Sequence, residues 1–149
     1  MTGKVDVERV RSLLGELNEA RRKMKLIAAE DEEAFLGDFR NRDAAKYQLI
    51  VAIEASIDVC SHLVASLGGR APSDYADCFS VLADLGVVTE TLVDRLRTMA
   101  RFRNLVVHLY WVVDDRRVFD ILRNDATDLD DFRDAVLGWL KREGLLEGS

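Results

Sequence analysis

Apolar residues recur along most of this chain at intervals of three and four positions, the spacing that lines one face of an α-helix. The alternation of apolar and polar residues that marks a half-buried strand is not sustained anywhere in the sequence. The pattern therefore predicts an all-α fold, an antiparallel bundle of about five to six helices that pack their apolar faces together. The predicted helices cover about residues 5–31, 41–67, 73–86, 89–110, 114–122 and 127–140.

Turn-forming and capping residues separate these helices. The only proline of the chain, Pro72, follows two glycines and marks the clearest break. A loop or short turn is predicted through residues 37–38, and Thr127 or Asp128 is predicted to cap the last helix. Because no repeat, low-complexity tract or long linker interrupts the sequence, residues 1–149 are expected to form a single domain.

The composition is that of a folded protein, with 48% hydrophobic and 32% charged residues. We expect no membrane association, because no apolar run approaches the roughly 20 residues that a membrane span needs. The N-terminus shows no secretory signal, so a cytoplasmic location is expected. Cys60 and Cys78 have neither disulfide-framework nor metal-site spacing and are interpreted as small buried side chains. Neither a metal site nor a cofactor is predicted.

The net charge of −6 bears on possible partners. It argues against a broad basic surface that binds nucleic acid anywhere along its length, so any such contact must be local. The charged clusters at residues 21–23 and 30–33 are interpreted as solvent-exposed helix surface.

The fourth predicted helix carries an arginine, Arg103, in the middle of its apolar stripe. The apolar members of that stripe are Leu92, Leu96, Met99, Val106, Val107, Tyr110 and Val113. A guanidinium group keeps its charge, so on such a stripe it needs a carboxylate, a phosphate or a water-filled cleft. Glu54 and Asp58 form one ridge of the second helix and are the candidate partners. The alternative interpretation is a structural ion pair that sets the helix register.

The residues around Arg103 favour chemistry on a phosphate. Four arginines lie within nine residues of one another, and His108 follows them. On a continuous helix, His108 shares a face with Arg101 and Asn104, whereas Tyr110 shares a face with Arg103. The β-branched residues before His108 indicate that the helix ends or kinks there. Histidine transfers protons near neutral pH and arginine binds phosphate oxygens, whereas the other histidine, at position 62, is interpreted as an ordinary hydrogen-bonded residue.

Residues 103–110, which read RNLVVHLY, resemble the R-x4-H-x-Y motif of the HepT toxins, a prokaryotic branch of the HEPN superfamily. Residues 42–50, 53–63, 75–87 and 113–118 are also similar to segments of that family. The resemblance therefore covers about residues 5–140, which is far more specific than the motif alone.

The resemblance implies a HEPN bundle that forms a homodimer, with the motifs of both subunits lining one composite site. It implies metal-independent RNA cleavage, in which the ribose 2′-hydroxyl attacks the neighbouring phosphate; DNA is not expected as a partner. In that reaction His108 would be the general base or acid, Arg103 would bind and stabilise the scissile phosphate, and Asn104 would orient the histidine or the phosphate. It also implies a partner, an MntA-type nucleotidyltransferase antitoxin, which attaches AMP to Tyr110 and so silences the toxin.

Two other interpretations remain open. The chain could be a non-catalytic HEPN module that docks a nucleotidyltransferase or a nucleotide, with Arg103 merely paired to Glu54 or Asp58. It could also be an unrelated helical bundle whose charges are incidental. Glu54, Asp58 and Arg101 are therefore only supporting candidates beside the motif residues.

Overall fold

In the computed structural model, which describes residues 4–146, the chain is a helical bundle without strands over that range. This confirms the predicted all-α class. Its α-helices are α1 (Val7–Ala28), α2 (Glu32–Gly37), α3 (Phe39–Ser66), α4 (Tyr75–Asp84), α5 (Glu90–His108), α6 (Asp115–Asp120) and α7 (Thr127–Arg142). A 3-10 turn at Tyr110–Val112 follows α5, and a π-helical turn at Ile121–Asp125 joins α6 to α7.

The two long helices α1 and α3 form the most extensive contact of the bundle. They run antiparallel, since the backbone N–H of Asp6, just before α1, donates to Nε2 of His62 near the end of α3 at 2.9 Å. This bond confirms that His62 is an ordinary hydrogen-bonded histidine. Helix α5 packs against α3, α4 and α7. The C-terminal half of the fourth predicted helix is thereby fixed beside α3 and the start of α4.

Local signals explain where most helices begin. The carboxylates of Asp6, Asp31, Asp38 and Asp74 accept backbone N–H groups at the first turns of α1 to α4, and the Thr89 hydroxyl does so at α5. The cap at Asp31 accounts for α2, a short helix where only a loop or short turn was predicted. The predicted cap of the last helix at Thr127 or Asp128 is wrong, because the π-helical turn carries the backbone directly into α7.

The core is apolar and continuous across the bundle. Two aromatic pairs connect elements that are distant in sequence: the rings of Phe35 and Phe119 lie 4.7 Å apart, and those of Phe79 and Phe132 meet edge to face at 5.6 Å. By length and composition α3 could cross a membrane, with a mean hydropathy of 1.6 over its most apolar window. The expectation that no apolar run approaches a membrane span is corrected for this helix, but 61% of that window is buried inside the bundle.

Two cations lie inside the bundle. The interpretation of residues 21–23 as solvent-exposed surface is wrong for Arg21, which is 3% exposed and donates to both carboxylate oxygens of Asp130 at 3.0 and 2.9 Å. Lys46 of α3 is also buried, with its ammonium group 2.9 Å from Asp115 at the start of α6. Each ion pair joins helices that are far apart along the chain and so helps to set how they pack.

Candidate functional site

A pocket of about 620 Å³ opens where the end of α5 meets the start of α4 and the second half of α3. Its volume is in the range of pockets that hold small ligands. The residues that line it are Ser61, Pro72, Asp74, Tyr75, Cys78, Arg103, Asn104 and His108. Three motif residues that were predicted as a functional group therefore share one pocket.

Arg103 is held in the pocket wall by hydrogen bonds on two sides. Its Nε and one terminal nitrogen donate to Oε1 of Glu54 at 3.2 and 2.6 Å, and the other terminal nitrogen donates to Oδ1 of Asn104 at 2.9 Å. The Arg103 side chain is only 16% exposed, whereas that of Glu54 is 44% exposed. The partner is thus Glu54, while Asp58 lines a smaller adjoining pocket with Glu54 and Arg103. This arrangement fixes the direction of the guanidinium group before any ligand arrives.

His108 is the last residue of α5 and is exposed to solvent at the mouth of the pocket. Because the helix ends here, as the β-branched run indicated, the imidazole stands free of the following turn. Asn104 lies one helical turn earlier and lines the same pocket. The imidazole, the amide and the guanidinium group therefore face one space that a phosphate could enter.

The other arginines of the predicted cluster do not join this pocket. Arg95 pairs with Asp128 at 2.9 Å, Arg97 donates to the Ser80 hydroxyl, and Arg101 is exposed outside the pocket. The positive charge that faces the pocket is thus mainly that of Arg103.

Tyr110 lies in the 3-10 turn after α5, outside the pocket. Its hydroxyl donates to Oδ1 of Asp43 at 2.7 Å, and the ammonium group of Lys46 lies 4.4 Å from the ring centroid. Partial burial and the hydrogen bond to Asp43 raise the pKa of Tyr110 to about 12. The predicted common face of Tyr110 and Arg103 is wrong, because it required a continuous helix and α5 ends two residues earlier.

Comparison with known proteins now decides the family. The family model described as HepT-like ribonuclease matches residues 17–136. The chain belongs to the HepT-like ribonuclease family. The resemblance inferred from residues 103–110 is thereby confirmed.

Relatives of this HepT-like chain carry nuclease names. The mRNA nuclease HepT of Shewanella oneidensis is 28% identical over 106 residues, which are 71% of this chain and 80% of that protein. A protein of Archaeoglobus fulgidus that is named provisionally as an RNase is 38% identical over 72 residues. The matched part spans only 54% of the archaeal protein and 48% of this chain.

Solved structures share the fold. Bacillus subtilis YutE, described as a cytosolic protein of unknown function, superposes with a TM-score of 0.82 at 22% identity and covers 95% of both chains. The tri-AMPylated HEPN toxin of Shewanella oneidensis, in complex with its MNT antitoxin, superposes with a TM-score of 0.81 at 22% identity. That match covers 87% of this chain and 97% of the toxin. The HEPN helical bundle is therefore the fold of this protein.

Several apolar side chains are exposed close to His108 along this HepT-like chain. They lie at the end of α5 and in the following turn, are termed the apolar patch, and comprise Leu105, Val107, Leu109, Trp111 and Val112, which are 38% to 80% exposed. The prediction that Val107 belongs to the core-facing stripe is therefore wrong. A cluster of exposed apolar side chains of this kind is typical of a surface that another molecule covers.

The sequence analysis did not identify several residues of the pocket wall. Among these residues Tyr75 is the aromatic one, and it is exposed. Cys78 is there too, with its sulfur 3.7 Å from the Ser61 hydroxyl. Both cysteines are free and buried, as predicted, and burial raises the pKa of Cys60. Within residues 4–146 no group of histidine, cysteine and acidic side chains is arranged to hold a metal ion. The signal that could have indicated this wall is the sequence just before and at the start of α4, where Pro72 and Tyr75 both carry rigid rings.

Proposed function

We propose that this HepT-like protein is a metal-independent endoribonuclease and the toxin of a HEPN/MNT toxin–antitoxin pair. The observation that carries the proposal is the convergence of Arg103, Asn104 and His108 on one pocket. The nuclease name of the Shewanella relative and the antitoxin bound to its structural neighbour support the same function. We expect the protein to act in the cytoplasm, as the cytosolic description of YutE suggests.

The proposed reaction uses a nucleophile that the RNA itself supplies. The 2′-hydroxyl loses its proton to a base, its oxygen forms a bond to the neighbouring phosphorus, and the bond to the 5′-oxygen breaks as that oxygen gains a proton. His108 transfers a proton in this exchange, and Arg103 stabilises the additional negative charge on the phosphate oxygens. Asn104 holds Arg103 in its orientation. Since no external water needs activation, neither a metal nor another cofactor is required.

We further propose that the protein acts as a homodimer. The apolar patch around Trp111, which is itself 80% exposed, begins three residues before His108 along α5. A second copy that covers this patch would bring its own pocket beside the first, so that RNA contacts both. A local cleft of this kind also agrees with the net charge of −6, since most of the surface then need not attract RNA. Association through apolar surface also predicts a dimer that persists in high salt.

The products of the reaction provide a test. Purified protein incubated with RNA in the presence of a metal chelator is expected to leave 2′,3′-cyclic phosphate ends, which end-specific ligation and mass spectrometry detect. An RNA with 2′-deoxy nucleotides at the mapped cleavage sites is expected to stay intact, because the nucleophile is missing. Cleavage of that RNA, or loss of activity on chelation, would exclude the proposed reaction.

The regulation implied for Tyr110 is a second proposal. A nucleotidyltransferase antitoxin supplied with ATP is expected to add AMP to this tyrosine, with release of pyrophosphate. Asp43 accepts the phenolic hydrogen bond at 2.7 Å and is placed to take the proton as the phenol oxygen attacks. A tyrosine phenol is neutral at pH 7, and the raised pKa of Tyr110 makes loss of its proton harder still, so a proton acceptor is needed when the oxygen attacks.

The expected result is one or more AMP units of added mass on the wild type and loss of its RNA cleavage. Tyr110→Phe removes the acceptor oxygen, and we expect this variant to keep cleaving RNA while gaining no mass. Tyr47→Phe is the matched control, because Tyr47 is an exposed tyrosine on α3 that lies outside the motif. Intact-mass measurement and peptide mapping follow the reaction. AMP found on another residue would refute this regulation and leave the nuclease proposal standing.

One observation favours the alternative of a non-catalytic HEPN module that docks a nucleotidyltransferase or a nucleotide. The Arg103 guanidinium group is already engaged by Glu54 at 2.6 Å, as a structural ion pair would be. That alternative predicts that the pure protein binds a partner but cleaves no RNA at any salt concentration. The unrelated bundle is excluded by the family match.

A further inference from the structure

An exposed aromatic ring lies beside the arginine of the motif pocket. Tyr75, the first residue of α4, is 48% exposed. Its ring lies on the wall of the main pocket and also on that of the smaller pocket beside Glu54 and Asp58. The guanidinium carbon of Arg103 is 5.5 Å from the ring centroid. The ring is therefore within one nucleotide's reach of the position where Arg103 would hold a phosphate.

The backbone that carries this ring is held firmly. Both carboxylate oxygens of Asp77 accept from Arg70, at 2.7 and 2.9 Å, and the Ser73 backbone N–H also donates to Asp77. In turn, the Asp77 backbone N–H donates to Asp74 at 2.7 Å, which caps α4. These bonds span both sides of Tyr75, so the backbone that carries the ring is held in place before a ligand binds.

The rest of the pocket suits a flat ligand. Pro72 and Cys78 lie beside the ring and contribute apolar surface, while Ser61 and Asp74 add polar groups. The phosphate-directed groups, Arg103 and His108, line the same space. A half-exposed aromatic ring beside a cation, on a partly apolar wall, is an arrangement by which proteins bind single-stranded RNA, with the base stacked and the phosphate paired.

We propose that Tyr75 is a base-stacking platform, on which the base of a nucleotide adjoining the cleaved bond lies while Arg103 holds its phosphate. This inference rests on the proposed nuclease function and names how that site binds its substrate. Because every base has a flat face, the contact positions the RNA without selecting a sequence. Asp58, which lines the smaller pocket together with Tyr75, carries a negative charge that disfavours the RNA backbone there and so favours the main pocket.

The test is a double-mutant cycle, in which the binding of two RNAs is measured to the wild type and to Tyr75→Ala. A short RNA with a mapped cleavage site is made uncleavable by a 2′-deoxy sugar at that site. A second version of this RNA also lacks one base, that of the nucleotide on one side of the site or on the other. Tyr75→Ala is expected to weaken binding of the base-bearing RNA by about 5- to 150-fold, the range of one lost stacking contact. The RNA without that base is expected to bind the wild type and Tyr75→Ala equally. Fluorescence anisotropy gives each dissociation constant.

The same cycle separates stacking from a purely supporting role of the ring. If Tyr75 only supported Arg103 through their 5.5 Å contact, Tyr75→Ala would weaken the binding of both RNAs by the same factor. That result would overturn the stacking proposal. Tyr75→Phe retains an aromatic face and is expected to restore the binding lost in Tyr75→Ala. Circular dichroism checks that Tyr75→Ala is folded, which its exposed side chain favours.

Two outcomes distinguish the stacking proposal from the function on which it rests. A wild type that cleaves RNA, together with a Tyr75→Ala variant that binds base-bearing RNA equally well, overturns the stacking alone. A wild type that neither binds nor cleaves RNA overturns both proposals. A 2-aminopurine base placed beside the cleavage site gives an independent readout, since its fluorescence should be quenched by the wild type and not by Tyr75→Ala.

Discussion

Replacing His108 with alanine is expected to lower the rate of RNA cleavage by about 10²- to 10⁴-fold, the usual contribution of a proton-transferring side chain. His108 lies at the exposed end of α5, so its removal creates no cavity in the core. The rate is measured with a fluorescent RNA under single-turnover conditions. Unchanged circular dichroism and an unchanged oligomeric state show that the variant is folded and assembled.

The chain offers a matched control for this experiment in His62, its only other histidine. His62 accepts the Asp6 backbone N–H and lies outside the motif pocket. We therefore expect His62→Ala to lower stability slightly and to leave the cleavage rate close to that of the wild type. Equal cleavage by His108→Ala and the wild type would remove His108 from the reaction and favour the non-catalytic module.

The largest expected effect on stability is at Arg21. Arg21→Leu would remove the two hydrogen bonds to the partly buried Asp130 carboxylate and leave it only the longer contact with Arg133 at 3.7 Å, which we expect to cost about 3 kcal/mol of the free energy of unfolding. The pair connects α1 to α7 through two hydrogen bonds, so the loss would also loosen the contact between those helices. Denaturant unfolding followed by circular dichroism measures the difference.

The neighbouring position supplies the control. Arg22 pairs with Glu19 at 2.6 Å, but both side chains are more than half exposed. Because exposed ion pairs contribute little, Arg22→Leu is expected to change the free energy of unfolding far less than Arg21→Leu does. If the two variants were equally stable, the Arg21–Asp130 pair would be no more important than a surface ion pair.

The effect of Arg21→Leu should depend on pH. Burial alone would raise the pKa of Asp130, but the hydrogen bonds from Arg21, together with the positive charges of Arg21, Arg133 and Lys25, hold that pKa below its ordinary value. A carboxylate with a lowered pKa stabilises the folded state above its ordinary pKa, and that contribution is lost as the carboxylate gains a proton. The stability gap between the wild type and Arg21→Leu is therefore expected to narrow below about pH 4.

The sequence predicted the helices well where the signals are local. The spacing of apolar residues and the N-caps gave the bounds of α3, α4 and α5 to within a few residues, because a helix repeats contacts that lie three or four positions apart. The errors occur at α2 and at the π-helical turn before α7. Helix α2 is too short for an apolar period to show, although Asp31 caps it, and no side chain caps the start of α7 after the π-helical turn.

The residues of the motif pocket likewise comprise some that the sequence identified and others that it did not. Arg103, Asn104 and His108 lie within six residues of one another on one helix, so the sequence identified them, but only the packing of α3 and α4 against α5 forms the pocket that all three line. The partner of Arg103 was narrowed to Glu54 or Asp58, and the packing of α5 on α3 selected Glu54. Tyr75 was missed because it reaches the pocket from another helix, at a distance along the chain that no periodic pattern reports.

What the sequence by itself determined is the all-α class, the family and the residues of the motif, since each is written in short-range spacing. Only the tertiary structure decided that Arg21 is buried, that Tyr110 bonds to Asp43, and that Trp111 is left exposed. The physical reason is that periodicity shows which face of a helix is apolar but not which helix will cover it. That choice depends on the fit of side chains that are distant along the chain.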